Sequence, residues 1–318
     1  MSIQTKILSL ALSLLLLVLV SCRSNSPNED SSSTSESSQE SVQGGSDIAD
    51  SGMADNDAAS SDQEGANQVA NTGTLTFVAN GEDFVRQGFV SKDGWSITFE
   101  RLTITLENLS AYQTDPPYDA SDGERPTGTA ISRGGPFTVD LAADVEDAQP
   151  ISIDVVDESP SGQYNAISWR MALAQEGDTT GSSIHMVGIA SQGDMQIHFA
   201  LAIDEEYSYH CGEYIGDERK GFLPDGGDAE LEATFHFDHL FGNGDAPSDD
   251  AINQTALGFE PLAALAEDGQ VETTLSGLAE QLDENEFTLL TDALASLGHV
   301  GEGHCFEAEA GYTGQKDE

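Results

Sequence analysis

Basic residues are scarce in this sequence. Only 11 of its 318 residues are Lys or Arg, against 57 Asp and Glu, which gives a formal net charge of -46 at pH 7. Proteins that bind nucleic acid or anionic lipid headgroups depend on clustered positive charge. The composition therefore argues against nucleic acid as a partner. A surface this acidic is typical of saline surroundings, and it also concentrates divalent cations near the protein.

Cysteine is scarce as well, with three residues in the chain: Cys22, Cys211 and Cys305. The last two predict a disulfide, because paired cysteines in an exported domain are usually oxidised. Each of them follows a histidine, and a disulfide would bring His210 and His304 close together. The alternative is that these thiols and imidazoles bind a soft metal ion such as zinc or copper.

Long apolar runs are absent except for residues 7–20, near the N-terminus. This run is shorter than the roughly 20 residues that a membrane-spanning helix needs. It follows Lys6 and is rich in Leu, and a charged start before a short apolar middle is typical of a secretory signal. The sequence therefore predicts export.

The end of this run, Leu19-Val20-Ser21-Cys22, resembles the lipobox of bacterial lipoproteins. The resemblance covers residues 1–22 alone. It implies a signal peptide of residues 1–21, cleavage before Cys22, and acylation of Cys22, including palmitate, as a membrane anchor. Because Arg23 rather than Asp follows the cysteine, analogy with enteric bacteria favours the outer membrane or the cell surface.

Residues 22–72 contain no aromatic side chain and are dominated by Ser, Asp, Glu, Asn, Gln and Gly. Such a segment cannot bury enough apolar surface to offset its ordering entropy. We therefore expect a disordered tether between the lipid and a folded domain of residues 73–318.

Residues 73–318 show several short alternating strands and no interleaved helices up to about residue 240, which predicts an antiparallel β-sandwich. The alternation slips at Glu100-Arg101, which indicates a β-bulge. Residues 270–298 carry a helical pattern and predict a small C-terminal helical hairpin. Asp283 and Glu286 have the spacing of a capping box, and Gly298 fits a helix stop.

The histidine pattern centres on residues 184–239. A hairpin turning at Gln192-Gly193 would place Phe199 on the core face, and His185 diagonal to His198 on the other face. Residues 231–239 also alternate, with His236 and Asp238 on one face. If this strand joins the same sheet, three imidazoles converge on one face.

Three imidazoles with nearby carboxylates predict a zinc or copper site. The candidate ligands are His185, His198, His210, His236, His239 and His304. Asp238 and Glu302 could orient the imidazoles by accepting hydrogen bonds from them. Calcium is a further candidate at the acidic loops around Asp225 and Asp245, although neither has the EF-hand spacing.

No nucleophile or phosphate-loop motif is present, so the sequence favours a binding protein over an enzyme. The first hypothesis is a lipid-anchored protein that binds a transition metal. The alternative is a non-catalytic surface module for a protein or glycan partner, with an exposed aromatic patch from Tyr207, Tyr209 and Tyr214. A metallohydrolase would need an open coordination position in a cleft.

Overall fold

The computed structural model describes residues 71–143, 149–214, 220–301 and 303–308, without the side chains of His304 and Ala308. The predicted signal peptide, Cys22, residues 22–70 of the tether and Glu302 lie outside the described residues. No helix in the described part of the chain is long and apolar enough to cross a membrane.

The domain is mainly β, and its two large sheets share one hydrophobic core, which confirms the predicted sandwich class. The described strands are β1 (Thr72–Asn80), β2 (Phe89–Val90), β3 (Ser96–Gln113), β4 (Thr129–Arg133), β5 (Phe137–Asp140), β6 (Ile151–Pro160), β7 (Gly162–Gln163), β8 (Ala166–Met171), β9 (Ile184–Gln192), β10 (Met195–Ile203), β11 (Tyr207–Cys211), β12 (Phe222–Leu223), β13 (Asp228–Phe235), β14 (Gln270–Thr274), β15 (Gly298–Val300), β16 (Gly303–His304) and β17 (Phe306–Ala308).

Short helices fill the connections, most of them after β13. The described helices are α1 (Glu82–Gln87), the 3-10 helix Ala120–Asp122, α2 (Asp238–Phe241), α3 (Ala251–Thr255), α4 (Glu260–Ala264), α5 (Leu275–Gln281) and α6 (Glu284–Ala295).

One sheet has five strands in the order β16-β15-β13-β1-β6, and the other runs β14-β10-β9-β3-β8-β11-β17, with β2, β4 and β5 also paired to β3. A third, two-stranded sheet pairs β12 with β7. The prediction of purely antiparallel sheets is wrong in two places, because β1 pairs β13 in parallel and β10 pairs β14 in parallel. Both parallel pairs join strands that are distant in sequence, so no hairpin alternation could reveal their direction.

Aromatic side chains from both sheets interlock in the core. Phe77 and Phe235 come from the five-stranded sheet, Trp169 and Phe199 come from the other, and all four are at most 2% exposed. The rings of Phe235 and Trp169 lie 5.8 Å apart between centroids. This contact across the sandwich fixes β13 against β8, and it thereby fixes the chain that leaves β13.

The C-terminal helices follow the sequence pattern, and Asp283 and Glu286 form the predicted capping box at the start of α6. The predicted helical segment is wrong at both ends. Residues 270–274 form β14, and Gly298 begins β15 instead of ending the helix. A Cβ at Gly298 would lie only 2.4 Å from Cδ1 of Tyr209, so glycine is needed here because β15 passes close to this ring.

The predicted disulfide is present. Cys211 and Cys305 are bonded, with their Cα atoms 4.4 Å apart and a sequence separation of 94. The bond ties the end of β11 to the segment between β16 and β17. Both sulfurs are therefore unavailable as thiolate ligands, which removes the soft-ligand alternative for these two residues.

We expect the double variant Cys211→Ser/Cys305→Ser to lower the free energy of unfolding by about 4–5 kcal/mol, because the bond closes a long loop in the unfolded chain. Urea unfolding followed by the fluorescence of buried Trp95 and Trp169 measures the change. Reductant should reproduce the loss in the wild-type protein and leave the double variant unchanged. A loss below about 1 kcal/mol would contradict the expected loop effect.

Candidate metal centre

The parallel pairing of β1 and β13 sets the position of the site. In a parallel pair the carboxyl ends of both strands lie at the same edge of the sheet. The register ends with Asn80 opposite Thr234. Glu82 and His236 each follow two residues later, so the two side chains meet beyond this edge. Nδ1 of His236 lies 3.6 Å from Oε2 of Glu82.

The chain turns back immediately after β13. The amide of His236 donates to the carbonyl of Leu297 at 3.2 Å, and Phe237 is only 1% exposed in the core. These contacts end the strand at Phe235 and start α2 at Asp238. The amide of His239 then donates to the carbonyl of His236 at 3.1 Å. One tight turn therefore presents two imidazoles and a carboxylate to the same place.

A third imidazole comes from β15, which pairs antiparallel with β13 and places His299 opposite Thr234. The ring centroid of His299 lies 4.2 Å from that of His236 and 5.1 Å from that of His239. The rings of His236 and His239 are 5.2 Å apart. Three of the seven histidines thus form one compact cluster.

The donor atoms are close enough for one ion. His236, Asp238 and His239 each offer a ligand atom, and these atoms lie within 4.8 Å of one another. In the part of the chain that the structure describes, this is the one such group of His, Cys, Asp and Glu side chains. The acidic loops around Asp225 and Asp245, considered above for calcium, form no such group.

Two buried polar atoms of this cluster lack a hydrogen-bond partner among the described residues. His236 is 9% exposed and Asp238 is 5% exposed. Among the described residues, Nε2 of His236 and Oδ1 of Asp238 have no hydrogen-bond partner. Buried polar atoms are nearly always satisfied, and leaving one unsatisfied costs about 1–3 kcal/mol. A cation bound between these atoms would satisfy both of them.

The surrounding groups hold the donors in place. Nε2 of His299 lies 3.2 Å from the carbonyl oxygen of Ser296, and a bond from N–H to this oxygen would leave Nδ1 as the ligand atom. Glu82 has a φ of +59°, which is uncommon for a residue with a side chain. Its amide donates to Oδ1 of Asn80 at 2.9 Å.

The charges also suit a divalent ion. Neutral imidazoles add no charge, so Glu82 and Asp238 supply two negative charges beside the three rings. Together they would balance a dication, and a buried charge is tolerated only when it is paired. Imidazole nitrogen with carboxylate oxygen is the donor set of zinc and copper(II) sites.

The predicted pairing of His185 with His198 is wrong. The hairpin forms, but its register puts Ile197 opposite Ala190 and His198 opposite Ile189, two residues from the predicted pairing. The same side chains still face the core, because the register is shifted by an even number of residues. His185 now lies opposite Ala202, four residues from His198, or about 13 Å along the strand. One ion cannot bind both rings.

The prediction that residues 231–239 join this hairpin's sheet is also wrong. β13 belongs to the five-stranded sheet, so His236 does not approach His185 or His198. His210 lies on β11, in the ten-stranded sheet, away from the cluster, while the side chain of His304 lies outside the described residues. Of the predicted ligands, the structure brings together His236 and His239.

Asp238 was predicted to orient the imidazoles, but its carboxylate lies among the candidate ligand atoms themselves. Sequence reasoning missed His299 and Glu82. The signal for Glu82 was its position after an Asn-Gly turn at the end of a strand. His299 had no comparable local signal, since its partner strand is about 65 residues earlier in the chain.

Comparisons with known proteins give no relative from which to transfer a role: no family model, curated protein or solved structure matches this chain.

His210 gives a prediction about pH. Burial, and secondarily the charge of Arg125, lower the pKa of His210 from 6.5 to about 4. The folded state therefore binds fewer protons than the unfolded state between these values, so stability falls as the pH falls through this window. We expect His210→Gln to reduce the loss of stability between pH 7 and pH 4 by about 2–3 kcal/mol.

Urea unfolding at a series of pH values measures this difference. His198→Gln is the matched control, because His198 is exposed on the same sheet. Its curve should run parallel to that of the wild type. A parallel curve for His210→Gln as well would contradict the expectation.

Proposed function

We propose that this protein is an exported, lipid-anchored protein that binds a transition metal, zinc or copper(II), through His236, His239, His299 and Asp238. Glu82 completes the charge balance beside His236. The observation that carries the proposal is the group of His236, Asp238 and His239 ligand atoms within 4.8 Å of one another at the end of β13, with the ring of His299 beside it.

The donor set supports binding more than catalysis. His236, Asp238 and His299 are at most 9% exposed, and His239 is partly buried. An ion held by His236, Asp238 and His239 would take His299, whose ring lies 4.2 Å from that of His236, as its fourth ligand. These four ligands would fill a tetrahedral coordination shell, whereas a catalytic zinc keeps a position for water. We therefore favour metal binding over the metallohydrolase hypothesis.

Export and anchoring rest on separate observations. The Cys211–Cys305 disulfide is expected in an oxidising compartment outside the cytoplasm. The Leu19-Val20-Ser21-Cys22 sequence and the polar tether behind it support a lipid anchor that holds the domain away from the membrane. In that position the acidic surface would raise the local concentration of cations.

One part of the alternative hypothesis is wrong. The predicted aromatic patch for a protein or glycan partner is not formed, because Tyr207 is 5% exposed, Tyr209 is 1% exposed and Tyr214 is partly buried against the core. Tyr207 and Tyr209 point into the core, since they occupy the same face of β11 as Cys211. A partner surface built on them is therefore excluded.

We expect the protein, purified without a histidine tag, to contain close to one equivalent of zinc or copper by elemental analysis. In the metal-free protein, an added ion at 100 times its Kd should raise the free energy of unfolding by about 2.7 kcal/mol. His236→Gln and His299→Gln should each weaken binding by about 100-fold or more. Titration calorimetry with zinc and with copper(II) measures these changes.

His198→Gln is the matched control, because it removes an exposed imidazole from the other sheet and should leave affinity unchanged. Copper(II) generally binds such donors more tightly than zinc in vitro, so affinity alone does not identify the native metal. Elemental analysis of the native protein identifies it. Metal content well below one equivalent, with no binding by the metal-free protein, would reduce the cluster to a structural group of histidines and carboxylates.

We expect Cys22→Ser to abolish incorporation of labelled palmitate and to move the protein from the detergent phase to the aqueous phase. The thiol of Cys22 would carry the lipid, and serine cannot form the thioether. Cys305→Ser is the control, since it should remain lipidated. Membrane association of Cys22→Ser equal to that of the wild type would contradict the lipid anchor.

A further inference from the structure

A second feature lies on the outer face of the ten-stranded sheet. A cleft of about 710 Å³ opens above β4, β3, β8 and β11. This volume lies within the range of small-molecule sites, roughly 300–1,000 Å³. The cleft is lined by twelve residues, of which three are Arg, four are Ser and none is Asp or Glu. It is separate from the metal centre, which lies at the edge of the other sheet.

The floor of the cleft is a row of small polar side chains across four strands. Ser132 pairs with Ser110, Ser110 pairs with Ser168, and Ser168 pairs with His210. Residues paired in this way share one face of the sheet. The row spans three strand spacings, or about 14 Å. Short serine side chains leave room above the sheet, and they offer hydroxyl groups to a ligand.

The residues that line the cleft carry charge of the sign opposite to the protein's net charge. Arg125, Arg133 and Arg170 line it, although the chain has only 11 Lys and Arg. Carboxylates that do not line the cleft hold Arg133 and Arg170: Asp154 pairs with Arg133, while Glu206 and Glu107 pair with Arg170. A guanidinium has five N–H donors, so these ion pairs leave donors for a ligand.

One buried polar atom at the cleft has no hydrogen-bond partner. His210 is 4% exposed and borders the cleft. It pairs with Ser168, so its side chain lies on the same outer face as the serine row. Nδ1 of His210 has no hydrogen-bond partner among the described residues. Since buried polar groups are normally hydrogen-bonded, this atom indicates a missing ligand or solvent partner.

We propose that this cleft binds an acidic saccharide, meaning a polyhydroxylated ligand that carries carboxylate or sulfate groups. The serine row and Tyr112 would bond with sugar hydroxyls. The arginines would bind the acidic groups, because the guanidinium geometry matches oxyanions. The length of the row suits a short oligosaccharide lying across the strands.

Isothermal titration calorimetry of the full-length protein tests the proposal with four probes: trigalacturonate, a sulfated chondroitin disaccharide, maltotriose and inorganic sulfate. The buffer should hold about 0.15 M salt, because the net charge repels anions and this salt screens beyond about 8 Å. We expect one of the two acidic saccharides to bind at least about tenfold more tightly than maltotriose or inorganic sulfate. Which of the two binds more tightly distinguishes carboxylate from sulfate.

Two variants locate the binding. Ser132→Trp fills the cleft from an exposed position, so it should fold normally and abolish binding. Arg125→Gln should weaken binding by about tenfold. Arg101→Gln is the matched control, because Arg101 lies outside the cleft beside Asp178 at 3.7 Å, and its loss removes the same charge. Circular dichroism confirms the fold of each variant.

Four outcomes would overturn the proposal. The first is no binding of either acidic saccharide at millimolar concentration. The second is equal binding of maltotriose, which would exclude recognition of charge. The third is equal binding of inorganic sulfate, which would exclude recognition of the sugar. The fourth is an equal loss in Arg125→Gln and Arg101→Gln, which would assign the effect to net charge alone.

Discussion

The parallel pairing of β1 with β13 is the constraint on which the candidate metal centre depends. It joins strands about 150 residues apart in the chain and aligns their carboxyl ends at one edge. Without this pairing, no other described contact would bring the end of β1, and with it Glu82, close to His236. The antiparallel partner β15 then adds His299 from the other side of β13. Packing of Phe235 and Phe237 in the core keeps this edge in position.

The sequence predicted correctly which face of a strand is buried, but it predicted poorly which residues lie opposite each other on paired strands. Alternation identified the core faces of β9 and β10 and the bulge at Glu100-Arg101, because side-chain direction depends only on the local two-residue repeat. The hairpin register was wrong by two residues, and such a shift leaves the faces unchanged. Alternation alone could therefore not decide whether His185 and His198 meet.

The candidate site shows the same limit. His236, Asp238 and His239 are close in sequence, and a strand that ends in a tight turn is enough to group them. Glu82 and His299 come from distant strands, so their approach depends on sheet order and direction, which no single local pattern encodes. The disulfide was easier to predict, because the predicted export and the lipobox assignment of Cys22 left Cys211 and Cys305 with only each other as partners.

The 94-residue loop closed by Cys211 and Cys305 contains His236, Asp238, His239 and His299. Even in the unfolded oxidised chain these four groups stay within one covalent ring, so their mutual effective concentration is higher than in a linear chain. If the cluster binds an ion as proposed, oxidation would favour recapture of that ion during refolding. Disulfide formation would then best precede metal loading, and a reducing stress would impair both.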